Sequence, residues 1–164
     1  MIKKIFYTNN DYALTIGRLL LGVVYFAHGA QKVLGWFGGH GFHATMAGFT
    51  GKMHIPVFFA FLAIMAEFLG SLGLIVGFLG RIAALGIMCD MAVAVALVHS
   101  HVGFFMNWAG TQRGEGYEFH LLALGLGAVI LLKGSGALSI DRWLTRRSSS
   151  EVVNMERPAV RRTA

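Results

Sequence analysis

Residues 55–98 read IPVFFAFLAIMAEFLGSLGLIVGFLGRIAALGIMCDMAVAVALV. Two apolar runs, 55–79 and 81–98, meet at Gly80 and contain 25 and 18 residues. Both fit the roughly 17–25 residues that a helix needs to cross a bilayer. With only Gly80 between them, the two must turn back on each other as a tight antiparallel hairpin. Apolar side chains occur all round each run, as in membrane spans and unlike surface helices. Three polar groups interrupt them: Glu67 in the middle of the first, and Cys89 with Asp90 in the middle of the second.

Outward from this hairpin, residues 13–34 and 118–138 form two further apolar runs of 22 and 21 residues. The expected fold is therefore all-α, a polytopic membrane protein built as a four-transmembrane-helix bundle. Composition agrees. Of 164 residues, 55% are hydrophobic and 13% charged, about half the roughly 25% charge of a soluble domain. So few charges cannot cover a soluble surface around so much apolar mass, which excludes a soluble enzyme, a disordered tail protein and a disulfide scaffold. The single Cys89 excludes an internal disulfide and any CxxC pair.

Lys3 and Lys4 ahead of an apolar run resemble a signal peptide, but Asn9, Asn10 and Asp11 interrupt and the run exceeds the ~7–15 residues of a signal core. An uncleaved first helix is expected. The organisation is then 1–12 as N-terminus, 13–141 as transmembrane domain and 142–164 as a basic flexible tail. An even number of spans puts both termini on one side with the Gly80 turn. That side holds Lys3, Lys4, Arg18, Arg81, Lys133 and six tail arginines, 11 of the 14 basic residues; the other holds Lys32, Lys52 and Arg113. The positive-inside rule makes the termini cytoplasmic, in a plasma (inner) membrane. The net charge of +6 sits at the chain ends, which fits anionic lipid headgroups and argues against nucleic acid as a partner.

Two connections, 35–54 and 99–117, exceed the about 2–8 residues of bundle loops and mark candidate lids or binding segments. All seven histidines lie towards that side: His28, His40, His43, His54, His99, His101 and His120. Their short spacings in glycine-rich loops specify no metal geometry, so they read as tolerated loop and interface residues.

The ionisable residues inside the spans carry the functional expectations, because charge is expensive there. Side chains lean towards their helix N-terminus. Arg18 then leans to the termini side and is expected to snorkel to lipid phosphates. Lys32 points into the bundle, and Glu67, on an antiparallel helix, leans to meet it; Glu67 should pair with Lys32 or His28. Tyr25, His28 and Lys32 share one helix face. A purely structural role in fixing helix packing is the competing reading of this pair. Asp90 should meet Arg18 or stay protonated in a dry site. Cys89 reads as a small apolar filler.

Together GRLLLGVVYFAHGAQKVLGWFGG (17–39), AEFLGSLGLIVGFLGR (66–81), GFFMNWAG (103–110) and GYEFHLLALGLGAVILLKGSGALSIDRWL (116–144) resemble the DoxX family of small four-helix membrane proteins. Arg18, His28, Gly29, Lys32, Glu67, Asn107, Tyr117 and Glu118 stand at that family's pattern positions; residues 111–115 (TQRGE) depart from it as an insertion. The resemblance implies an oxidoreductase or redox-stress membrane subunit, the family being named for a relationship to a subunit of thiosulfate:quinone oxidoreductase. No flavin, haem or iron–sulfur motif is present, so any redox carrier would be borrowed, and a membrane quinone is the natural one. The expected catalytic cluster is Glu67, His28 and Lys32, with Tyr25, Asn107, Tyr117 and Glu118 binding substrate. Partners implied are the bilayer, oxidoreductase proteins or further copies of the chain. The alternatives are a non-catalytic scaffold of an oxidoreductase complex and a small oligomeric transporter.

Overall fold

The computed structural model describes residues 5–146, which form helices and turns with no strand. Helix α1 spans Tyr12–Leu34, a short α2 Gly41–Ala47, α3 Val57–Val76, α4 Gly80–His99, α5 Glu118–Lys133, and α6 residues 140–146. The expected flexible tail lies, from residue 147 on, outside the described residues, as do residues 1–4.

Asp11, expected only as a polar interruption, starts α1. Its carboxylate accepts hydrogen bonds from the Ala13 and Leu14 amides, and left-handed Gly35 ends the helix. Helices α1, α3 and α4 have 23, 20 and 20 residues, each long and apolar enough to cross a membrane. Helix α5 has 16, about 24 Å at 1.5 Å per residue and short of the roughly 30 Å hydrocarbon core.

The expected run of the fourth span to residue 138 is thus corrected: the helix stops at Lys133. Gly134 and Gly136 take positive φ values of 93° and 84°, and the chain turns into the bundle end that carries the termini. Irregular backbone survives at such depth only when protein satisfies it. Here the Gly136 amide donates to Thr8 Oγ1 at 2.6 Å, Ala137 to the Asp11 carbonyl at 3.0 Å, and Leu138 to Thr15 Oγ1 at 3.3 Å.

Between α3 and α4 the chain reverses through left-handed Gly77 and Leu79, and α4 begins at Gly80, giving the tight hairpin that the sequence predicts. The connection 35–54 is largely helical, with a single turn at Trp36–Gly38, α2, and a widened π-turn at Gly48–Lys52. Residues 100–117 are mostly irregular.

The core packs Leu21 and Tyr25 of α1, Leu74 of α3, Ala84, Ile87 and Met91 of α4, and Ala123 and Ile130 of α5. The perimeter is as apolar as the core. Ile16, Leu20, Val23, Phe58, Leu122 and Leu132 all point outward. No soluble surface carries such a continuous apolar belt; this one is solvated by lipid.

Candidate functional site

At Gly29 the α1 backbone touches α3: a Cβ there would lie 2.6 Å from Phe68 Cα and 2.8 Å from the Glu67 carbonyl carbon. Only glycine permits this approach. One turn further along α1, Lys32 Nζ donates to Glu67 Oε2 at 2.5 Å, the pairing expected from the opposed lean of the two side chains. Glu67 belongs to a π-turn, Ala66–Gly70, inside α3. The extra residue in that turn shifts the helix register and presents the carboxylate to the bundle interior, a local distortion often found at functional positions. The carboxylate is buried, while the ammonium keeps partial exposure.

Asp90 of α4 lines the same cleft as Lys32 and Glu67 and lies in the field of both. The expected Asp90–Arg18 contact is not formed. Asp90 stands ten residues beyond Gly80, a rise of about 15 Å, whereas Arg18 sits at the hairpin end. Two carboxyls facing one ammonium carry a net charge unless they share a proton, and net charge is costly in this apolar setting.

These groups floor a lateral cleft of about 1100 Å³ between α3 and α4. Phe59, Leu62 and Ala63 of α3 and Gly86, Val93 and Leu97 of α4 form its walls. Tyr25, His28, Lys32 and Glu67 all line it, as do Asp90, His99 and His120. Two buried polar atoms beside it have no hydrogen-bond partner, Tyr25 Oη and His120 Nδ1; their residues are 1% and 7% exposed. Unsatisfied buried groups are rare because each forfeits hydration without replacement. Cys89, expected as packed filler, is exposed on the cleft wall instead, because the cleft leaves no neighbour on that side of α4.

The remaining expected site residues are elsewhere. Asn107, Tyr117 and Glu118 do not line the cleft and instead organise the 100–117 connection. Glu118 accepts from the Met106 amide at 3.0 Å and Trp108 Nε1 at 3.2 Å; Asn107 exchanges two bonds with Gln112; the Tyr117 amide donates to Gly103. With His28, expected in the catalytic cluster, the cleft gathers His99 and His120, read as tolerated loop and interface residues, whose ring centroids lie 4.1 Å apart. His120 had a legible signal: it shares the stripe of buried positions Ala123, Gly127 and Ile130 along α5. Among the described residues no group of three or more His, Cys, Asp or Glu is placed to hold a metal ion.

Arg18 corrects another expectation. It is 1% exposed and does not snorkel to lipid. Its guanidinium donates to the carbonyls of Ser135 at 2.8 Å, Ile75 at 2.8 Å and Leu138 at 2.6 Å, and also to Leu74. The turn after α5 delivers two of these acceptors, which outcompete lipid phosphate by being fixed in place. Beside it, buried Asp141 accepts from the Leu79 and Gly80 amides at 2.8 and 3.0 Å and from Ser135 Oγ at 2.6 Å. Asp141 thereby caps α4 from another helix, a role that the sequence does not reveal.

The family model of DoxX matches residues 13–100, more than half of the chain and including every residue of the Lys32–Glu67–Asp90 cluster. The chain belongs to the DoxX family. It is similar to the inner membrane protein YqjF of Escherichia coli (strain K12), with 27% identity over 137 residues that cover 84% of this chain and 95% of that protein. No solved structure gives a significant match. As a DoxX family member with three long apolar helices, the chain is an integral membrane protein.

Proposed function

We propose that this protein is a redox-associated oxidoreductase subunit of the plasma (inner) membrane, that it binds a membrane quinone in the lateral cleft, and that both termini are cytoplasmic. The observation that carries the reading is the cleft itself: about 1100 Å³ of apolar-walled space open at membrane depth, ending at two buried polar atoms without partners. That combination suits a flat ring with polar substituents and a long apolar tail. The inner-membrane placement is supported by the likeness to YqjF, and the orientation by the distribution of lysine and arginine.

A bound quinone would supply two-electron, two-proton chemistry, with electrons arriving from a partner oxidoreductase. This chain's residues bind and handle protons. Tyr25 Oη would donate a hydrogen bond to a ring oxygen. His120 Nδ1 would offer a second donor or acceptor according to its tautomer. Lys32 holds Glu67 in place, and the Glu67–Asp90 carboxyls keep one exchangeable proton beside the ring.

The test is lipid extraction and mass spectrometry on protein purified in mild detergent, comparing wild type with Glu67→Gln, an uncharged isostere. Near-stoichiometric quinone in wild type that falls in a variant with an unchanged melting profile is expected. Background quinone in both would overturn the reading and favour a scaffold.

A further inference from the structure

The titratable groups in the cleft are not scattered. They form a file from the long-connection end of the bundle to mid-membrane. His99 closes α4 in a third π-turn, Val95–His99, is partly exposed, and has Nδ1 2.8 Å from the Glu115 carbonyl oxygen. Its ring lies 4.1 Å, centroid to centroid, from His120. His120 and His28 line the same cleft and both pack on the Phe119 ring, 5.7 and 6.4 Å from it centroid to centroid, with Lys32 and Glu67 on the cleft wall beyond His28. Glu67 ends the file against Asp90. Tyr25 flanks it with its ring 6.1 Å from that of His28, and Cys89 adjoins Asp90 in the chain. Each member can both accept and release a proton, and the unpartnered Nδ1 of buried His120 leaves one nitrogen open to a water or a neighbouring group.

We propose that His99, His120 and His28 form a proton relay that connects the aqueous phase on the long-connection side to the Glu67–Asp90 carboxyl pair. A proton from water protonates His99 and passes through His120 and His28 to an ionised carboxyl of the pair, and when the pH on that side rises it returns along the same path to water. No proton is created or lost, and no other reactant is needed. Intramembrane His and carboxylate chains are suited to this work, since histidine changes charge near neutral pH. At the opposite end, Arg18, Ser135 and Asp141 are saturated with fixed hydrogen bonds and offer no exchangeable path. The carboxyl pair therefore equilibrates with one side of the membrane.

This relay serves the head group proposed above, yet its test needs no quinone. Dicyclohexylcarbodiimide, a membrane-soluble probe, adds to protonated carboxyl groups. The full-length protein is embedded in sealed vesicles, and the His99 side is identified by reaction of Arg113→Cys with an impermeant maleimide. Brief labelling of Glu67 and Asp90 is then read by peptide mass spectrometry after a pH jump on one side. Labelling should follow the pH on the His99 side and ignore the other. His120→Gln should abolish that rapid response, and so should His99→Gln, which sits at a partly exposed helix end and keeps the test sharp if the buried variant fails to fold. Labelling that follows the termini side, or both sides, or that responds unchanged in folded variants, would overturn the relay. A lost quinone signal with intact sidedness would instead fault the ligand alone.

Discussion

The molecule holds two buried polar assemblies at opposite depths, built from the same kinds of group and finished differently. At the termini end, Arg18, Ser135 and Asp141 are 1%, 0% and 1% exposed; the Arg18 guanidinium reaches four carbonyls, and Asp141 receives three donors. At mid-membrane, Lys32, Glu67 and Asp90 face a cleft, and two neighbouring polar atoms stay unpartnered. Buried polar networks rigidify when complete and are reactive or receptive when incomplete. The first assembly is a fastening, and the second is a site.

Substitutions should separate the two. The largest effect is expected for Arg18→Ala, which removes the donor shared by four carbonyls, of which Leu74 keeps the Gly77 amide, and should cost about 3 kcal/mol or more. Sharply reduced abundance in membranes and a lowered melting temperature in detergent would register it; a variant as stable as wild type would break the comparison. Next comes Gly29→Ala, where a methyl meets the Phe68 backbone. Forcing α1 and α3 apart should cost about 1–3 kcal/mol and lengthen the Lys32–Glu67 contact. The protein should persist in membranes while retained quinone declines. Smallest is Glu118→Ala, which removes one acceptor from the Met106 amide and Trp108. A loss of about 1 kcal/mol, seen as faster amide exchange at Met106, should leave carbodiimide labelling of the cleft unchanged.

How much of this was legible in the chain depends on the distance over which each feature is decided. Helix existence is a local property, and apolar length reveals α1, α3 and α4 with their ends within three residues. The Lys32–Glu67 pair was accessible too, because side-chain lean in antiparallel helices is fixed by backbone chirality. Three things were not. Gly134 and Gly136 fall inside the apolar run 118–138, and only the contacts of Gly136 with Thr8 and of Leu138 with Thr15 reveal a chain break. π-turns at Glu67 and His99 leave no mark in hydrophobic periodicity, although they aim both side chains. Arg18 was assigned to lipid because its acceptors lie 56 to 120 residues downstream.

That separation along the chain bears on biogenesis. The amides that open α4 at Leu79 and Gly80 wait for a cap 61 to 62 residues later, and Arg18 waits for carbonyls 117 and 120 residues later. A nascent chain that has inserted three helices matches Arg18 only with the Leu74 and Ile75 carbonyls and still carries bare amides within the membrane. Delivery of residues 134–141 removes both defects in one docking step. The C-terminal turn thus acts as a completion mark, by which a finished chain differs from a truncated one in the feature that membrane quality control can sense, an incompletely matched charge.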